Sequence, residues 1–377
     1  MMQPGIVDED IVPIEVVILW CLMPAEEDDL LEGVPVDVRD GDYGVVGAIL
    51  NQRLPNIGGL YLRFLHLEFP SIRAPQGPSL SGDPPLAVIG DIFFGWSAEV
   101  ANELEFDKTG LAYFERKLNQ PIWAIGPIIL PAHARSAKQP GISAEKCIEW
   151  LDSKPLNSVL YISFGSVNTI SASQMMQITK ILEQLTNVNF IWAIRPPLGF
   201  DITAEFKAEE WLPEGFIEKV VETQNRGIVV SQWAPQWEIL SHESVGAFLT
   251  HCGWNSVLES LNHGVPLIGW PLAGEQFFNA KFLVEVGVFL ELARGSSFEV
   301  RCEYIVGNIK KVMMGDSLKG MEMRKRAGEA KEVFRNAVRS DELKGSSVKA
   351  MDDFLDAAVL MKEKTKSVDK QLDSMAP

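Results

Sequence analysis

The sequence predicts an α/β fold with a parallel sheet in the C-terminal half of the chain. Two observations support this: the 377 residues are enough for two domains with full cores, and short β-rich runs alternate with helical patterns after residue 145. Alternation at this length is typical of parallel strands joined by crossover helices. The C-terminal half is therefore predicted to be a Rossmann-like nucleotide domain.

The elements of this half follow one another at regular intervals. A strand in NSVLYISFGS (157–166) runs into a Gly-Ser turn, and the helix SASQMMQITKILEQL (171–185) has apolar residues at helical spacing. The later elements are shorter and keep the same alternation. Further strands are expected in NFIWAI (189–194), RGIVVSQW (226–233), VGAFLTH (245–251) and VPLIGWP (265–271), with helical segments such as WEILSHE and NSVLESLNH between them.

Three turns carry polar or aromatic residues directly after predicted strands. They are FGS (164–166), QWAPQ (232–236) and THCGWNS (250–256). Because ligands of parallel sheets lie beyond the carboxyl ends of the strands, these turns are expected to converge on one crevice. The third turn leads into a helix, and the unpaired N–H groups of a first helical turn attract anions. A bound phosphate is therefore the first ligand to expect.

The phosphate loop of dinucleotide-binding enzymes is not visible in this half, because no GxGxxG follows a predicted strand. The evenly spaced glycines of GDYGVVG (41–47) follow a charged run, and no clear helix comes after them. An unrelated NAD-dependent enzyme is therefore disfavoured.

Composition argues against several classes of partner. The formal net charge of −17 argues against nucleic acid and against an anionic membrane surface, since both require clustered Lys and Arg. The four cysteines form no CxxC pair, which argues against a zinc site or a disulfide framework and favours a cytoplasmic protein. The apolar run 11–24 is interrupted by Pro13 and Glu15 and is too short to span a membrane, so a buried strand is expected there.

The segment WAPQWEILSHESVGAFLTHCGWNSVLESLNHGVPLIGWPLAGEQ (233–276) closely resembles the signature box of the plant secondary-product UDP-glycosyltransferases. It contains WxPQ, the HxxxGxFxTHCGWNSxxE core, GVPxxxWP and a closing acid-Gln pair. CIEWLDSKPLNSVLYISFGS (147–166), WLPEGF (211–216) and GDIFFGWSAEVANEL (90–104) are similar to the same family. The resemblance implies the GT-B fold, which has two Rossmann-like domains with parallel sheets. It also implies a UDP-sugar as co-substrate, with no further cofactor and no metal.

The resemblance assigns a role to each position of the box. Trp233 would stack on the uracil ring, and the backbone of Ala234 would hydrogen-bond the uracil edge. His251 and the helix N-terminus at Asn255 would supply positive potential for the diphosphate. The diphosphate would face Ser166, His251, Asn255 and Ser256, the ribose would contact Gln236 and Glu259, and the sugar, expected to be glucose, would contact Trp254, Glu275 and Gln276.

Structural roles are the alternatives for several of these residues. His251 could be a satisfied structural histidine, and Trp233 could be a core tryptophan. Glu275 and Gln276 could be a helix-start pair on a solvated face. Cys252 beside His251 could suggest a metal site, but no second cysteine or carboxylate stands at ligand spacing.

The N-terminal half shows only one member of the catalytic pair that the resemblance implies. In the family, a histidine in a Gly-His pair after the first strand deprotonates the acceptor hydroxyl, and an aspartate at a later strand end orients it. The strand AVIG delivers Asp91 to such an end, with a capping or solvated aspartate as the alternative. The segment VVILWCLMPAEEDD has no histidine, and His66 in RFLHLEFP is a weak substitute because no Gly-His pair surrounds it.

The N-terminal domain is also expected to be shortened. Leu104 is followed at once by EFDKTGLAYFERKLNQPIWAIGP (105–127), which in the family comes much later, just before the interdomain linker. The prolines of residues 125–145 predict the linker there. The expected organisation is a shortened, incomplete acceptor-side domain (1–124), the linker (125–145), a UDP-sugar-binding domain (146–336), closing helices (337–360) and a mobile tail (361–377).

Two functions from different classes follow from these features. The leading hypothesis is an inverting UDP-glycosyltransferase that transfers a sugar to a hydroxyl of a small phenolic acceptor such as a flavonoid. The competing hypothesis is a donor-binding relic or truncated paralogue that binds the UDP-sugar without efficient transfer.

Overall fold

The computed structural model describes residues 141–375, apart from 166–168, 201–205, 232, 296–300 and 316. It also describes six short stretches of the N-terminal part: 17–19, 36–37, 61–64, 87–90, 122–124 and 126–127. The chain divides into two compact units. One unit comprises Met1–Leu130 and Ala337–Pro377, the other Pro131–Asn336.

The described residues contain strands and helices that we number in chain order. The strands are β1 (Val17–Leu19), β2 (Val36–Asp37), β3 (Tyr61–Phe64), β4 (Ala87–Gly90), β5 (Ile122–Ala124), β6 (Val159–Ser163), β7 (Asn189–Ile194), β8 (Gly227–Ser231), β9 (Val245–Thr250), β10 (Leu267–Gly269) and β11 (Phe289–Glu291). The helices are α1 (Ala144–Asp152), α2 (Ala172–Gln184), α3 (Gln236–Ser241), α4 (Trp254–His263), α5 (Gln276–Val286), α6 (Cys302–Met313), α7 (Leu318–Ala337) and α8 (Ser346–Met375). A 3₁₀ turn (Ala208–Trp211) and a π-helical segment (Ile217–Thr223) lie between β7 and β8.

The larger unit is built on a six-stranded sheet in the order β11-β10-β9-β6-β7-β8, with every pair of neighbours parallel. Successive residues of a strand point to opposite faces, and both faces of this sheet are buried. In β6, Leu160 and Ile162 pack in one core, and Val159 and Tyr161 pack in the other. Helices α2 and α6 cover the first face, and α1, α3, α4 and α5 cover the second, which is the doubly wound α/β arrangement.

Most of the predicted elements of this unit are confirmed. β7 occupies the predicted range 189–194, and β6, β8, β9 and β10 lie inside the ranges predicted for them. Helix α4 begins at Trp254, one residue before the predicted start at Asn255. The sequence analysis did not include β11, a three-residue edge strand.

The two serine-capped helices of the larger unit begin as the sequence chemistry dictates. Ser143 caps α1, and its side chain accepts a hydrogen bond from the backbone N–H of Lys146. Ser171 caps α2 through a capping box: its hydroxyl accepts from the N–H of Gln174, whose side chain accepts from the N–H of Ser171. These caps satisfy N–H groups that a first helical turn otherwise leaves without partners.

The smaller unit contains a five-stranded sheet in the order β2-β3-β4-β1-β5, in which only the β2–β3 pair is antiparallel. Helix α8 packs against β5 through an edge-to-face contact of Trp123 with Phe354, and the hydroxyl of Ser347 donates to the carbonyl of Gly126. α8 continues to Met375, through most of the range for which the sequence predicts a mobile tail. None of the helices in the described part of the chain is apolar over a length that would cross a bilayer.

Candidate functional site

The candidate site lies at the carboxyl edge of the six-stranded sheet. The ends of four adjacent strands, β9, β6, β7 and β8, are level to within one residue, because Ser163 pairs with both Thr250 and Ala193 and Ile194 pairs with Ser231. The three predicted turns follow β6, β8 and β9. In the strand order, β9 is a direct neighbour of β6, but β7 lies between β6 and β8. The strand between them, β7, leads into a fourth turn that begins with Arg195.

His251 follows β9 directly and is buried, with 8% of its surface exposed. Its ring is held between two glycines, since a Cβ atom added at either Gly165 or Gly253 would overlap the Cε1 and Nε2 edge of the imidazole. Gly165 also has a φ of +79°, a conformation that side-chain-bearing residues rarely adopt. Both positions therefore require glycine for the imidazole to sit where it does.

The hydroxyl of Thr250 is the neighbour of Nδ1 of His251. The hydroxyl of Thr250 accepts from the N–H of Cys252 at 3.2 Å and lies 3.4 Å from Nδ1 of His251. When this hydroxyl donates to Nδ1, the ring proton is on Nε2, and His251 then presents an N–H donor toward the two glycines.

Burial lowers the pKa of His251 from 6.5 to about 4. The imidazole is consequently neutral near pH 7 in this environment. The neutral imidazole adds no positive charge of its own, and its predicted contribution to the positive potential requires an anion that raises this pKa. The N-terminus of α4 supplies positive potential at the same position.

The N-terminus of α4 has no side-chain cap among the described residues. Its N-cap is Gly253, which has no side chain to accept from the first-turn N–H groups. Asn255 is half-buried and Ser256 is buried, and both stand in that first turn. The first turn of α4 thus offers backbone donors and two polar side chains in one place, which suits an anion.

The turn in front of α4 is strained and is held by a buried amide. Cys252 has a φ of +68°, which is unusual for a residue with a side chain. The side-chain nitrogen of Asn279 on α5 donates to the carbonyl of Cys252 at 2.9 Å, and Asn279 is only 2% exposed. Backbone strain that is held by its surroundings is concentrated at functional sites.

Trp233 follows β8 and is half-buried. The guanidinium of Arg195 lies over its ring, with Cζ 5.3 Å from the ring centroid. Nη1 of the same guanidinium donates to the carbonyl of Gly165 at 3.0 Å. Trp233, Arg195, Gly165 and His251 therefore form an unbroken series of contacts along the carboxyl edge of the sheet.

Gln236 and Glu259 are hydrogen-bonded to each other. Nε2 of Gln236 donates to Oε2 of Glu259 at 2.9 Å, and the hydroxyl of Tyr161 donates to Oε1 of Gln236 at 3.2 Å. Burial raises the pKa of Tyr161, which keeps its hydroxyl protonated as a donor. The Tyr161 bond fixes the orientation of the Gln236 amide.

Comparison with known proteins identifies the family. Residues 132–326, just over half of the chain, match the family described as UDP-glucoronosyl and UDP-glucosyl transferase. The chain belongs to this family. The box at 233–276 lies wholly inside the matched range, as the sequence analysis predicted.

Individual members of the UDP-glycosyltransferase family align with about two thirds of the chain. UDP-glycosyltransferase 92A1 of Arabidopsis thaliana is 45% identical over 260 residues, which are 68% of this chain and 52% of that protein. UDP-glucose flavonoid 3-O-glucosyltransferase 7 of Fragaria ananassa is 36% identical over 271 residues, 67% of this chain and 51% of that protein. The chain spans about half the length of the curated relatives it matches.

A solved structure of a UDP-glycosyltransferase shows the same fold. UGT2 of Phytolacca americana, complexed with UDP-2-fluoro-glucose and pterostilbene, aligns with a TM-score of 0.54 and 33% identity. The alignment covers 66% of this chain and 51% of that one. The predicted GT-B fold class is confirmed by this likeness.

Two of the three proposed sugar-binding residues, Glu275 and Gln276, lie where α5 begins. Glu275 is the N-cap residue of α5, and its carbonyl accepts from Phe278 and Asn279. Gln276 is 2% exposed, and its Oε1 accepts from the N–H groups of Leu272 at 2.9 Å and Ala273 at 3.1 Å. The pair therefore stands at a helix start, but Gln276 is buried and does not lie on a solvated face, and the sugar-binding role of the pair stays a prediction. Trp254 opens α4 and packs at a tilt against Phe282.

Several predicted residues lie outside the described part of the chain, namely Asp91, Ser166 and His66. β4 ends at Gly90, directly before Asp91, and Gly90 pairs with Leu19 at the end of β1. Within the residues that the structure describes, no group of His, Cys, Asp or Glu side chains could hold a metal ion.

Three residues that contribute to the site were not predicted from the sequence: Arg195, Tyr161 and Asn279. Arg195 had a usable signal, because it directly follows NFIWAI and therefore stands at the carboxyl end of a predicted strand. Tyr161 and Asn279 had none, because they lie 75 and 27 positions from their hydrogen-bond partners.

Proposed function

We propose that this chain binds a UDP-sugar at the carboxyl edge of its six-stranded sheet and transfers the sugar to a hydroxyl of a small phenolic acceptor. The observation that carries the proposal is the series of contacts from Trp233 through Arg195 and Gly165 to His251. It connects a flat aromatic surface to a buried imidazole, as a ligand with a base at one end and phosphates at the other requires.

The described side chains suit the parts of a UDP-sugar in order. Uracil stacks on Trp233, and its polar edge meets the N–H of Ala234, whose carbonyl is already bonded to the N–H of Gln236 at 2.8 Å. The ribose hydroxyls meet the joined pair of Gln236 and Glu259. Ser166 belongs with the diphosphate group on the family resemblance alone.

The diphosphate is held without a metal in this proposal. The N–H groups of the first turn of α4, the side chains of Asn255 and Ser256, and Nε2–H of His251 all donate to its oxygens. The sugar lies toward Trp254, Glu275 and Gln276. Since Oε1 of Gln276 is bonded to the backbone, its Nε2 is the atom that donates to a sugar hydroxyl.

The transfer step is a displacement with inversion at the anomeric carbon. The acceptor oxygen forms a bond to that carbon while the bond to the diphosphate oxygen breaks, and the proton of the acceptor hydroxyl goes to a general base. Negative charge then develops on the departing UDP, where the N-terminus of α4 and His251 stabilise it. Asp91 is proposed to orient the base, whose identity in this sequence is not assigned.

The phenolic acceptor and glucose as the sugar are the finer parts of the proposal. The relative from Fragaria ananassa is named a flavonoid glucosyltransferase that uses UDP-glucose, and the Phytolacca americana structure contains pterostilbene beside a UDP-glucose analogue. The scattered cysteines support a cytoplasmic site of action.

Binding of the donor without transfer is the second candidate function. It is favoured by a specific observation: the segment after β1 contains no Gly-His pair, and a general base contributes about 10² to 10⁴ in rate. The two candidates share the donor site and differ only in turnover.

Calorimetry with UDP and UDP-glucose, together with a transfer assay on a flavonol, tests both candidates. We expect Trp233→Ala to weaken UDP binding by about tenfold or more, because a base-stacking surface is lost. Trp150→Ala is the matched control, since Trp150 is a half-buried indole on α1 whose N–H donates to Asn225. Donor binding without product supports the second candidate. Failure of the wild-type chain to bind any uridine nucleotide refutes both.

A further inference from the structure

Arg195 is a charged residue that the family box does not contain. It follows β7, between the turn after β6 and the turn after β8. Its guanidinium is partly buried, and burial lowers its pKa. An arginine is nevertheless a cation near pH 7. A half-buried cation at a strand end is costly to desolvate and is retained where its contacts compensate for that cost.

The first contact of Arg195 is with the indole of Trp233. Since Cζ lies 5.3 Å from the ring centroid and above the ring, the guanidinium covers one face of the indole. A flat ligand can then stack only on the opposite face. A cation behind an aromatic ring also fixes the plane of that ring, because the attraction depends on the cation lying over the ring face.

The second contact of Arg195 is with the turn after β6. Nη1 donates to the carbonyl of Gly165 at 3.0 Å, and Gly165 is a residue at which an added Cβ atom would overlap the imidazole of His251. A shift of the Gly165 backbone would therefore change the space around the Nε2–H of His251. One guanidinium thus restrains both the base end and the phosphate end of the crevice.

We propose that Arg195 is a positioning residue of the donor site, which fixes the plane of the Trp233 indole for the nucleobase and fixes the Gly165 turn beside His251. This inference rests on the proposed function, because it assumes that the crevice takes a uridine nucleotide. It extends that function by assigning a role in nucleotide affinity to a residue outside the box at 233–276.

Arg226 provides the matched comparison within the same unit. It is also a partly buried arginine, and it donates to the carbonyls of Leu182, Leu185 and Val188 at the end of α2. Burial lowers its pKa as it does for Arg195. Arg226 precedes β8, and Arg195 follows β7. Because β7 and β8 are parallel, Arg195 lies at the carboxyl ends of the strands, where the nucleotide is proposed to bind, and Arg226 lies at their amino ends.

The test measures the dissociation constants of UDP and of uridine for the wild type, Arg195→Met, Arg195→Lys and Arg226→Met, and their thermal unfolding midpoints. We expect Arg195→Met to weaken both ligands by about tenfold or more, because the indole and the Gly165 turn are released together. Arg195→Lys keeps the charge and loses the planar fork, so it should recover part of the affinity. Arg226→Met should lower the midpoint and leave both dissociation constants unchanged.

Each other outcome is decisive. Unchanged UDP affinity in Arg195→Met overturns the inference, as does a loss confined to UDP with uridine binding intact, since the placement behind the indole requires both. If Arg195→Met does not fold, Arg195→Lys decides, and wild-type affinity in that variant overturns the inference. A wild-type chain that binds no UDP refutes the proposed function itself, and the two failures are thus distinguished.

Discussion

Helices α2 and α4 follow parallel strands of the same sheet, yet their first turns are built in opposite ways. In α2, Ser171 and Gln174 satisfy each other's backbone N–H groups in a capping box. In α4, the cap position is Gly253, and no side chain in the described part of the chain takes that role. A serine cap stabilises a helix by about 1 kcal/mol relative to alanine, so α2 is closed by its own side chains and α4 keeps its donors available.

The surroundings of the two helix starts differ in the same direction. The α4 turn contains a strained Cys252, a buried imidazole and two glycines that admit no side chain. Asn279 on α5 holds this turn in place through the Cys252 carbonyl. The start of α2 therefore follows the local rules of helix capping, and the start of α4 does not. Such exceptions are concentrated at functional sites.

Gly253→Ala is expected to have the largest effect on UDP affinity, because it changes the uncapped start of α4. The added methyl group would overlap Nε2 of His251, so either the imidazole or the start of α4 must move. We expect UDP affinity, measured by calorimetry, to fall by about a hundredfold or more, because either movement displaces a proposed phosphate donor.

Gly307→Ala on α6 is the control for that substitution. A Cβ atom at Gly307 meets no atom within 4 Å, and alanine is the better helix former by about 1 kcal/mol. UDP affinity should be unchanged in this variant. Equal affinities in the Gly253 and Gly307 variants would show that the α4 N-terminus does not hold the ligand.

The position of the candidate site could be predicted largely from local sequence. Strand patterns and the box residues are properties of short segments, and β7 and β9 lie inside their predicted ranges. The convergence of three turns followed from the general rule that the carboxyl ends of parallel strands share one edge. The contact series from Trp233 to His251 agrees with that rule.

What sequence could not supply depends on contacts between distant segments. The Gln236 amide is oriented by Tyr161, which is 75 positions away, and no short pattern encodes such a pair. The charge state of His251 depends on its burial, which the residue type alone does not reveal. The strand order also escaped prediction, and with it the place of β7 and Arg195 between the turns after β6 and β8.

The pH dependence of the free energy of unfolding measures how burial affects His251, the imidazole beside the start of α4. Its pKa is lowered from 6.5 to about 4, so between these pH values the unfolded chain binds a proton that the folded chain does not. The free energy of unfolding should therefore fall as the pH drops through this window, by about 2 kcal/mol between pH 7 and pH 5. Urea unfolding of the wild type and of His251→Asn at both pH values measures this contribution as the difference between them.

Saturating UDP should reduce the His251 contribution if a phosphate lies beside Nε2. A neighbouring negative charge favours the protonated imidazole and raises its pKa towards the unfolded value. The wild type and His251→Asn would then show similar pH dependence. An identical pH dependence of the two proteins without UDP would contradict the burial argument itself.

Ser171→Ala, which removes the side-chain cap of α2, is expected to have the smallest effect. It removes the hydroxyl that accepts from the N–H of Gln174, and we expect the free energy of unfolding to fall by about 1 kcal/mol. UDP affinity should stay at the wild-type value, because Ser171 caps α2 and has no place in the proposed donor site. Urea unfolding and calorimetry on one preparation measure both quantities. A loss of UDP affinity with unchanged stability would contradict the assignment of the α2 cap to stability.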